Sequence, residues 1–269
     1  MTRGILRFEL ATARSGRTVL LFAGGFAVAS LVVALVGLSA GGVLAVQGFA
    51  RTSVSLLQLV IWVIPLLALL SGAAAGAECR DVEFVFALPV KRTEVLVSRW
   101  AAHVVVLGAA LLLGLGAAGI VISAFAGAAD GMRYIALTVI SCLLLAACLA
   151  VGLMIGILAP TRTRALAFAI AAWFVFVIGI DLVAIGALAI LPPGGASWEL
   201  VALLTVNPVA AARVLGLGLF GADVLAGPTG AALRAVMSGW GAWVLVGTLL
   251  AWTGAPLFVA SRVLRKRDL

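Results

Sequence analysis

Residues 134–159 read YIALTVISCLLLAACLAVGLMIGILA, twenty-six positions without a charged side chain, with Arg133 just before them and Arg162 just after. About 20 mostly apolar residues at 1.5 Å per residue cross the hydrocarbon core of a bilayer, roughly 30 Å thick. The stretch therefore reads as a membrane-spanning helix. The same ruler, applied to the other charge-free intervals, places spans at 18–38, 54–76, 101–125, 165–191 and 241–261. The fifth of the six is interrupted chemically only by Asp181. Composition agrees: of 269 residues, 65% are hydrophobic and 10% charged, with a mean hydropathy of +1.29, which excludes an ordinary soluble domain.

Six spans leave both termini on one side, and the basic residues say which. Fourteen flank one set of segment ends: Arg3, Arg7, Arg14, Arg17, Arg80, Lys91, Arg92, Arg99, Arg162, Arg164, Arg262, Arg265, Lys266 and Arg267. Four flank the other: Arg51, Arg133, Arg213 and Arg234. By the positive-inside bias, both termini are expected in the cytoplasm. The asymmetry also accounts for the formal charge of +8 without a nucleic-acid partner.

In residues 1–17, Ile5, Leu6, Phe8 and Leu10 are interleaved with Arg3, Arg7 and Arg14, a pattern suited to a short interfacial helix whose basic side chains meet anionic headgroups. A disordered basic tail is the alternative. The apolar run that follows is longer than the 7–15 residues of a signal-peptide core, so it reads as retained. Two connections exceed a turn: 78–100, of mixed charge and cytoplasmic, and 192–240, extracytoplasmic. In the latter, Asn207-Pro208 has the form of an N-cap followed by proline in the first turn, opening a helix to about Leu219. Gly227-Pro228 has the form of a second such start. Short apolar helices there are expected to pack on the outer face of the bundle. With no internal repeat or low-complexity linker, the expectation is one membrane domain over 1–269: all-α, six spans, an interfacial helix at 1–17 and short extracytoplasmic helices between spans five and six.

The chemistry available to such a chain is narrow. Both lysines, Lys91 and Lys266, lie outside any GxxxxGK[ST] pattern, so the chain has no P-loop with which to use ATP. Its single histidine, His103, cannot supply an HExxH zinc site or bis-histidine haem ligation. Cys142 and Cys148 are six apart, about 600° around a helix, and no Cys or Met pair has i, i+4 spacing. Cys79, Cys142, Cys148 and Met154 accordingly read as small hydrophobes and gap-fillers, and no metal or cofactor site is expected. His103, two residues inside span three, reads as an interfacial hydrogen-bonding group.

Asp181 is the one acidic residue within a span, about 24 Å from the inner end of its helix at 1.5 Å per residue. A carboxylate at that depth has to face protein or water. It is a candidate contact on a translocation path, with an interhelical or loop-tethering hydrogen bond as the alternative. Gly152 and Gly156 form a GxxxG on span four, and Gly108, Gly114, Gly116 and Gly119 thin span three. Such residues allow close helix approach, within one subunit or across a dimer.

The connection 78–100 crowds Glu78, Asp81, Glu83, Lys91, Arg92, Glu94 and Arg99 around the apolar run Phe84, Val85, Phe86 and Leu88, with Pro89 ahead of a helix-compatible stretch from Thr93 to Trp100. Apolar anchors with a charged rim suit docking of a protein partner; a solvated loop dipping into headgroups fits the spacing equally well. The run ECRDVEFVFALPVKRTEVLVSR resembles the cytoplasmic signature of ABC-2 type permeases. In that signature a glutamate precedes Gly-Thr-Leu-Glu, an apolar run, Leu-Pro, a basic residue and an apolar stretch ending in Gly-Lys. Glu78, Glu83, Leu88, Pro89 and Arg92 fall on matching positions, Arg99 stands for the terminal lysine, and Arg80-Asp81 replaces Gly-Thr.

The resemblance implies a permease without catalytic residues of its own, paired with a second copy of itself and with a cytoplasmic ABC ATPase that binds ATP and Mg²⁺. It also implies that Glu78, Glu83, Phe84, Phe86, Leu88, Pro89 and Arg92 couple to that ATPase, in the inner membrane. Trp173-Phe174-Val175-Phe176 with Asp181-Leu182-Val183, Asn207-Pro208 with Arg213, His103 and the tail RVLRKRD are similar to the family's subgroup that serves maturation of nitrous oxide reductase alongside a periplasmic accessory protein. That likeness implies copper or sulfur supply. Export of another small molecule or lipid, and autonomous secondary transport, are the competing functions; the latter normally needs more intramembrane polar groups than one aspartate.

Overall fold

The computed structural model describes residues 9–11, 17–39, 45–81, 92–123, 128–179, 182, 207–219 and 240–266. Among them every regular element is helical: α1 Arg17–Ser39, α2 Ala45–Asp81, α3 Arg92–Ser123, α4 Ala128–Leu158, α5 Arg162–Phe174 running on into a π-helical turn Val175–Gly179, α6 Pro208–Leu219 and α7 Gly241–Lys266. Five stretches are long and apolar enough to cross a bilayer: Thr52–Cys79, Arg92–Ile122, Gly131–Leu158, Arg162–Gly179 and Gly241–Arg265. They fall on the spans expected at 54–76, 101–125, 134–159, 165–191 and 241–261. The expected first span coincides with α1, whose described apolar stretch, Ala23–Gly37, is shorter than these five. Of the expected interfacial segment, residues 9–11 are helical and Arg17 opens α1; residues 1–8 and 12–16 lie outside the described residues, as do 180–181 and 183–191 of the fifth expected span and the helix expected after Gly227-Pro228.

The longest helices outrun the membrane. The 37 residues of α2 and 32 of α3 extend about 55 Å and 48 Å at 1.5 Å per residue, against roughly 30 Å of hydrocarbon. The surplus in α3 includes 92–100, so the last nine residues of the connection expected at 78–100 are helix continuous with the third span. Residues 78–81 close α2, and 82–91 lie outside the described residues.

The most extensive contact in the bundle is between α2 and α4, and small residues make it possible. Lipid offers apolar side chains no worse a solvent than another helix does, so association in a membrane depends on close packing and hydrogen bonding. Gly72 and Gly76 of α2 lie against Gly152 and Gly156 of α4: a β-carbon on Gly72 would stand 2.5 Å from the Leu149 carbonyl oxygen, and one on Gly156 would collide with that of Ala73. The GxxxG of span four thus serves packing within one subunit. Its partner is a second GxxxG in span two. The glycines of α3, by contrast, do not share one side. Gly114 admits Phe26 of α1, Gly119 admits the Tyr134 ring of α4, and Gly116 faces open space. Tyr134 then donates its hydroxyl to the Leu115 carbonyl at 2.5 Å, satisfying the one polar atom the ring brings into the contact. Leu56, Ile64, Leu69, Leu111, Leu144 and Leu149 fill the core between these helices, while Val105, Leu113 and Ile120 of α3 point outward, as a lipid-facing surface requires.

α6 begins where expected. Asn207 accepts a hydrogen bond from the Val209 amide at 2.9 Å, and Pro208 occupies the first helical position, where a missing N–H costs nothing. Its placement differs from the expectation of packing on the outer face: residues 208–212 and 214–216 are buried, and the helix is wedged against α2, α4 and α7. Gly216 explains how it fits, since a β-carbon there would overlap the Leu57 side chain of α2. Apart from Arg213, α6 consists of Pro, Ala, Val, Leu and Gly and so has no polar face to hold at a water-exposed surface.

Candidate functional site

The end of α2, the start of α3, the end of α4, the start of α5 and the end of α7 converge, and the opening of α3 is fixed there by three successive turns of one face. Arg92, Leu96 and Arg99 have i, i+4, i+7 spacing and so share a side of the helix. Arg92 donates from Nη1 to the Leu264 carbonyl near the end of α7 at 2.7 Å. Leu96, fully buried, packs in a cluster with Ala75 of α2, Leu153 and Ile157 of α4, and Ala260 and Leu264 of α7. Arg99 turns toward α2 and the N-terminal segment.

Arg99 is 8% exposed and Glu9 4% exposed, and the two form an ion pair. Nε lies 3.1 Å from each carboxylate oxygen of Glu9 and Nη2 lies 3.0 Å from Oε1, a two-pronged contact that uses the planar fork of the guanidinium. Nη1 donates to the Ala75 carbonyl at 3.1 Å. One side chain thus ties together the N-terminal segment, the end of α2 and the start of α3, with Cys79 beside it. Net stabilisation from such a pair is small once desolvation is counted, but removing one partner strands the other charge and costs about 3–5 kcal/mol. One turn on, His103 Nδ1 is 2.9 Å from the Arg99 carbonyl oxygen, the hydrogen-bonding role expected of it, and Trp100 Nε1 donates to the Ala146 carbonyl of α4 at 3.2 Å.

Of the residues expected to couple to a partner, Glu78 and Arg92 are described. Glu78 is exposed at the end of α2 and pairs with Arg162 at 3.5 Å, joining α2 to the first turn of α5. Both side chains are about half exposed, and solvent screening keeps such a pair within about 1 kcal/mol. Thr161 caps α5 by accepting from the Arg164 amide at 3.2 Å. Glu83, Phe84, Phe86, Leu88 and Pro89 lie outside the described residues, and so does Asp181.

Glu9 escaped the sequence reading. Its signal is faint: one carboxylate among the four arginines of the first seventeen residues, set between Phe8 and Leu10. A lone acid flanked by apolar residues in a basic segment is a candidate for burial against a cation, but nothing local identifies which.

Toward the opposite end, the aromatic run of α5 is gathered with Asn207. Trp173 donates to the Trp62 carbonyl of α2 at 3.0 Å, with the two indoles edge to face at 5.9 Å. Phe176 stacks edge-on against Trp252 of α7 at 5.4 Å. Asn207 uses both ends of its amide: the oxygen caps α6, and Nδ2 donates at 2.6 Å to the Phe176 carbonyl inside the π-helical turn. Among the described residues no three of His, Cys, Asp and Glu gather closely enough to hold a metal ion. Cys148 is fully buried in the core and Cys142 packs beside it on α4.

The family model described as ABC-2 family transporter protein matches residues 18–269. A relative from Stutzerimonas stutzeri named "Probable ABC transporter permease protein NosY" is 30% identical over 275 residues, covering 98% of this chain and 97% of the relative. A relative of the same name from Pseudomonas aeruginosa is 28% identical over 273 residues, covering 98% of each.

Proposed function

Because the chain belongs to the ABC-2 transporter family and is a permease subunit akin to NosY, we propose that it is driven by a separate cytoplasmic ATPase in the service of nitrous oxide reductase maturation. The observation that carries this reading is end-to-end similarity to two NosY permeases. It is joined by a basic end at which the helix following the coupling segment is anchored to four other elements. The chain works as a homodimer of six-span subunits in the inner membrane, both termini cytoplasmic, with a periplasmic accessory protein receiving the cargo or the force. ATP and Mg²⁺ bind to the ATPase. The permease contributes the path and the lever. Residues 82–91, with Phe84, Phe86, Leu88 and Pro89 as apolar anchors and Glu78, Glu83 and Arg92 at the rim, dock on the ATPase, and Asp181 faces the translocation path.

The continuity of α3 supports the lever. A helix that is continuous from Arg92 into the third span, with Leu96 buried among α2, α4 and α7, transmits displacement at its start as movement of the span. The test is deletion and complementation in a denitrifying host. Loss of the chain should abolish nitrous oxide reduction while the reductase polypeptide still reaches the periplasm. Copper and sulfide analysis of that polypeptide distinguishes copper supply from sulfur supply. A fully active reductase in the deletion strain would refute the assignment.

A further inference from the structure

We propose that Glu9 and Arg99 are positioning residues for energy coupling: their buried ion pair makes the N-terminal segment and the opening of α3 move as one body when the ATPase acts, an inference that rests on the permease reading above. The pair joins residues ninety positions apart at the point where α2, α3 and the N-terminal segment meet. Arg99 is buried although it lies at the charged end of the bundle, where a long side chain ordinarily extends its head into water. Desolvation of the two charges offsets much of their attraction, so what the arrangement contributes is chiefly geometric.

Three features make the joint stiff. The two-pronged contact fixes the orientation as well as the distance of the guanidinium. The third bond, to the Ala75 carbonyl, prevents the pair from swinging about the α3 axis. Sliding α3 past the N-terminal segment would separate opposite charges in a poorly solvated site, where attraction is least screened. Arg92 and Leu96 hold the same helical face on α7 and α4, so a push delivered before Arg92 reaches a helix that is clamped along two turns. The exposed Glu78–Arg162 pair at the same end lacks this character, being half in solvent and single-pronged.

The experiment uses the full permease with its ATPase in lipid nanodiscs, reading ATPase copurification and ATP turnover per assembled complex. Glu9→Gln and Arg99→Gln should still capture the ATPase but lower turnover by about tenfold. The double reversal Glu9→Arg with Arg99→Glu should recover part of that loss, because it restores the ion pair but not the bond to the Ala75 carbonyl. Arg99→Lys keeps the charge but gives up the fork, and it should fall between wild type and Arg99→Gln. A merely structural role would reduce the amount of complex and leave turnover per complex unchanged, which would overturn the proposal. Should the Gln variants fail to insert, Arg99→Lys decides: wild-type turnover in that variant overturns the proposal, and reduced turnover in an assembled complex supports it. A wild-type chain that captures no ATPase would defeat the permease reading itself, whereas active wild-type complexes with unaltered Glu9→Gln turnover would defeat only the joint.

Discussion

Gly76 and Gly156 meet backbone to backbone where α2 crosses α4: a β-carbon on Gly156 would stand 2.8 Å from the Cα of Gly76, and one on Gly76 would stand 3.0 Å from the Cα of Gly156. The contact follows from the two interlocking GxxxG patterns, and a methyl group there meets backbone rather than a flexible side chain that could move aside. Gly156→Ala should therefore destabilise the protein by about 2 kcal/mol, within the range for overpacking a close contact. Gly116→Ala is the control, since nothing lies within 4 Å of its β-position and alanine is the better helix former. Thermal unfolding in one detergent should rank Gly116→Ala at or above wild type and Gly156→Ala well below it. Equal midpoints would show that the two helices are free to separate.

Asn207 offers a two-part test because its amide oxygen and nitrogen do different things. Asn207→Asp keeps an acceptor for the Val209 amide but loses the donor to Phe176; Asn207→Ala loses both. Loss of the cap should cost about 1 kcal/mol. Hydrogen exchange at the first amides of α6 should quicken in Asn207→Ala and stay slow in Asn207→Asp. Exchange around Val175–Gly179 should quicken in both. If the π-helical turn is indifferent to either change, Asn207 is a cap only.

Local signals were the legible ones. The spans follow from uninterrupted apolar length, and the start of α6 follows from two adjacent residues whose chemistry dictates a cap and a first turn. The burial of α6 did not follow, because composition shows that a helix lacks a polar face without showing which neighbours leave a gap for it. The GxxxG of α4 was likewise visible as a thin face, while its partner on α2 depends on which helices cross. Glu9 and Arg99 were each in plain view but ninety residues apart, and nothing in the spacing of either predicts the other. Tertiary contacts between single residues carry no periodicity, so the candidate site was less legible than the bundle that holds it.

Topology is the prediction on which the functional side assignment depends. Fourteen of eighteen basic residues flank one set of helix ends, so a reporter fused after Leu269 should be active only in the cytoplasm and one inserted near Gly195 only outside it. Activity on the same side at both positions would remove one span from the proposed six. Exchange of the two sides would place the Glu9–Arg99 pair away from any ATPase.

Docking of the ATPase on residues 82–91 is the remaining prediction, and the anchoring of Arg92 changes how it must be tested. Truncating Phe86 to alanine should weaken binding by about 2 kcal/mol if the ring fills a groove on the partner, as buried aromatic anchors at interfaces do. Reversing a rim charge should act chiefly on association rate and salt sensitivity. Arg92→Glu is not a clean reversal, however, because it also removes the bond to the Leu264 carbonyl that holds α3 to α7. Glu83→Lys is the better rim variant for the kinetic measurement, and Arg92→Gln reports the loss of charge with an amide donor still available for Leu264. The assay is ATPase capture by permease already shown to be inserted, measured at low and moderate salt. Phe86→Ala should lower capture at both, whereas Glu83→Lys should alter the salt dependence more than the limiting affinity. Unchanged capture by a properly inserted Phe86→Ala and Glu83→Lys double variant would mean that this segment is solvated and that the ATPase docks elsewhere.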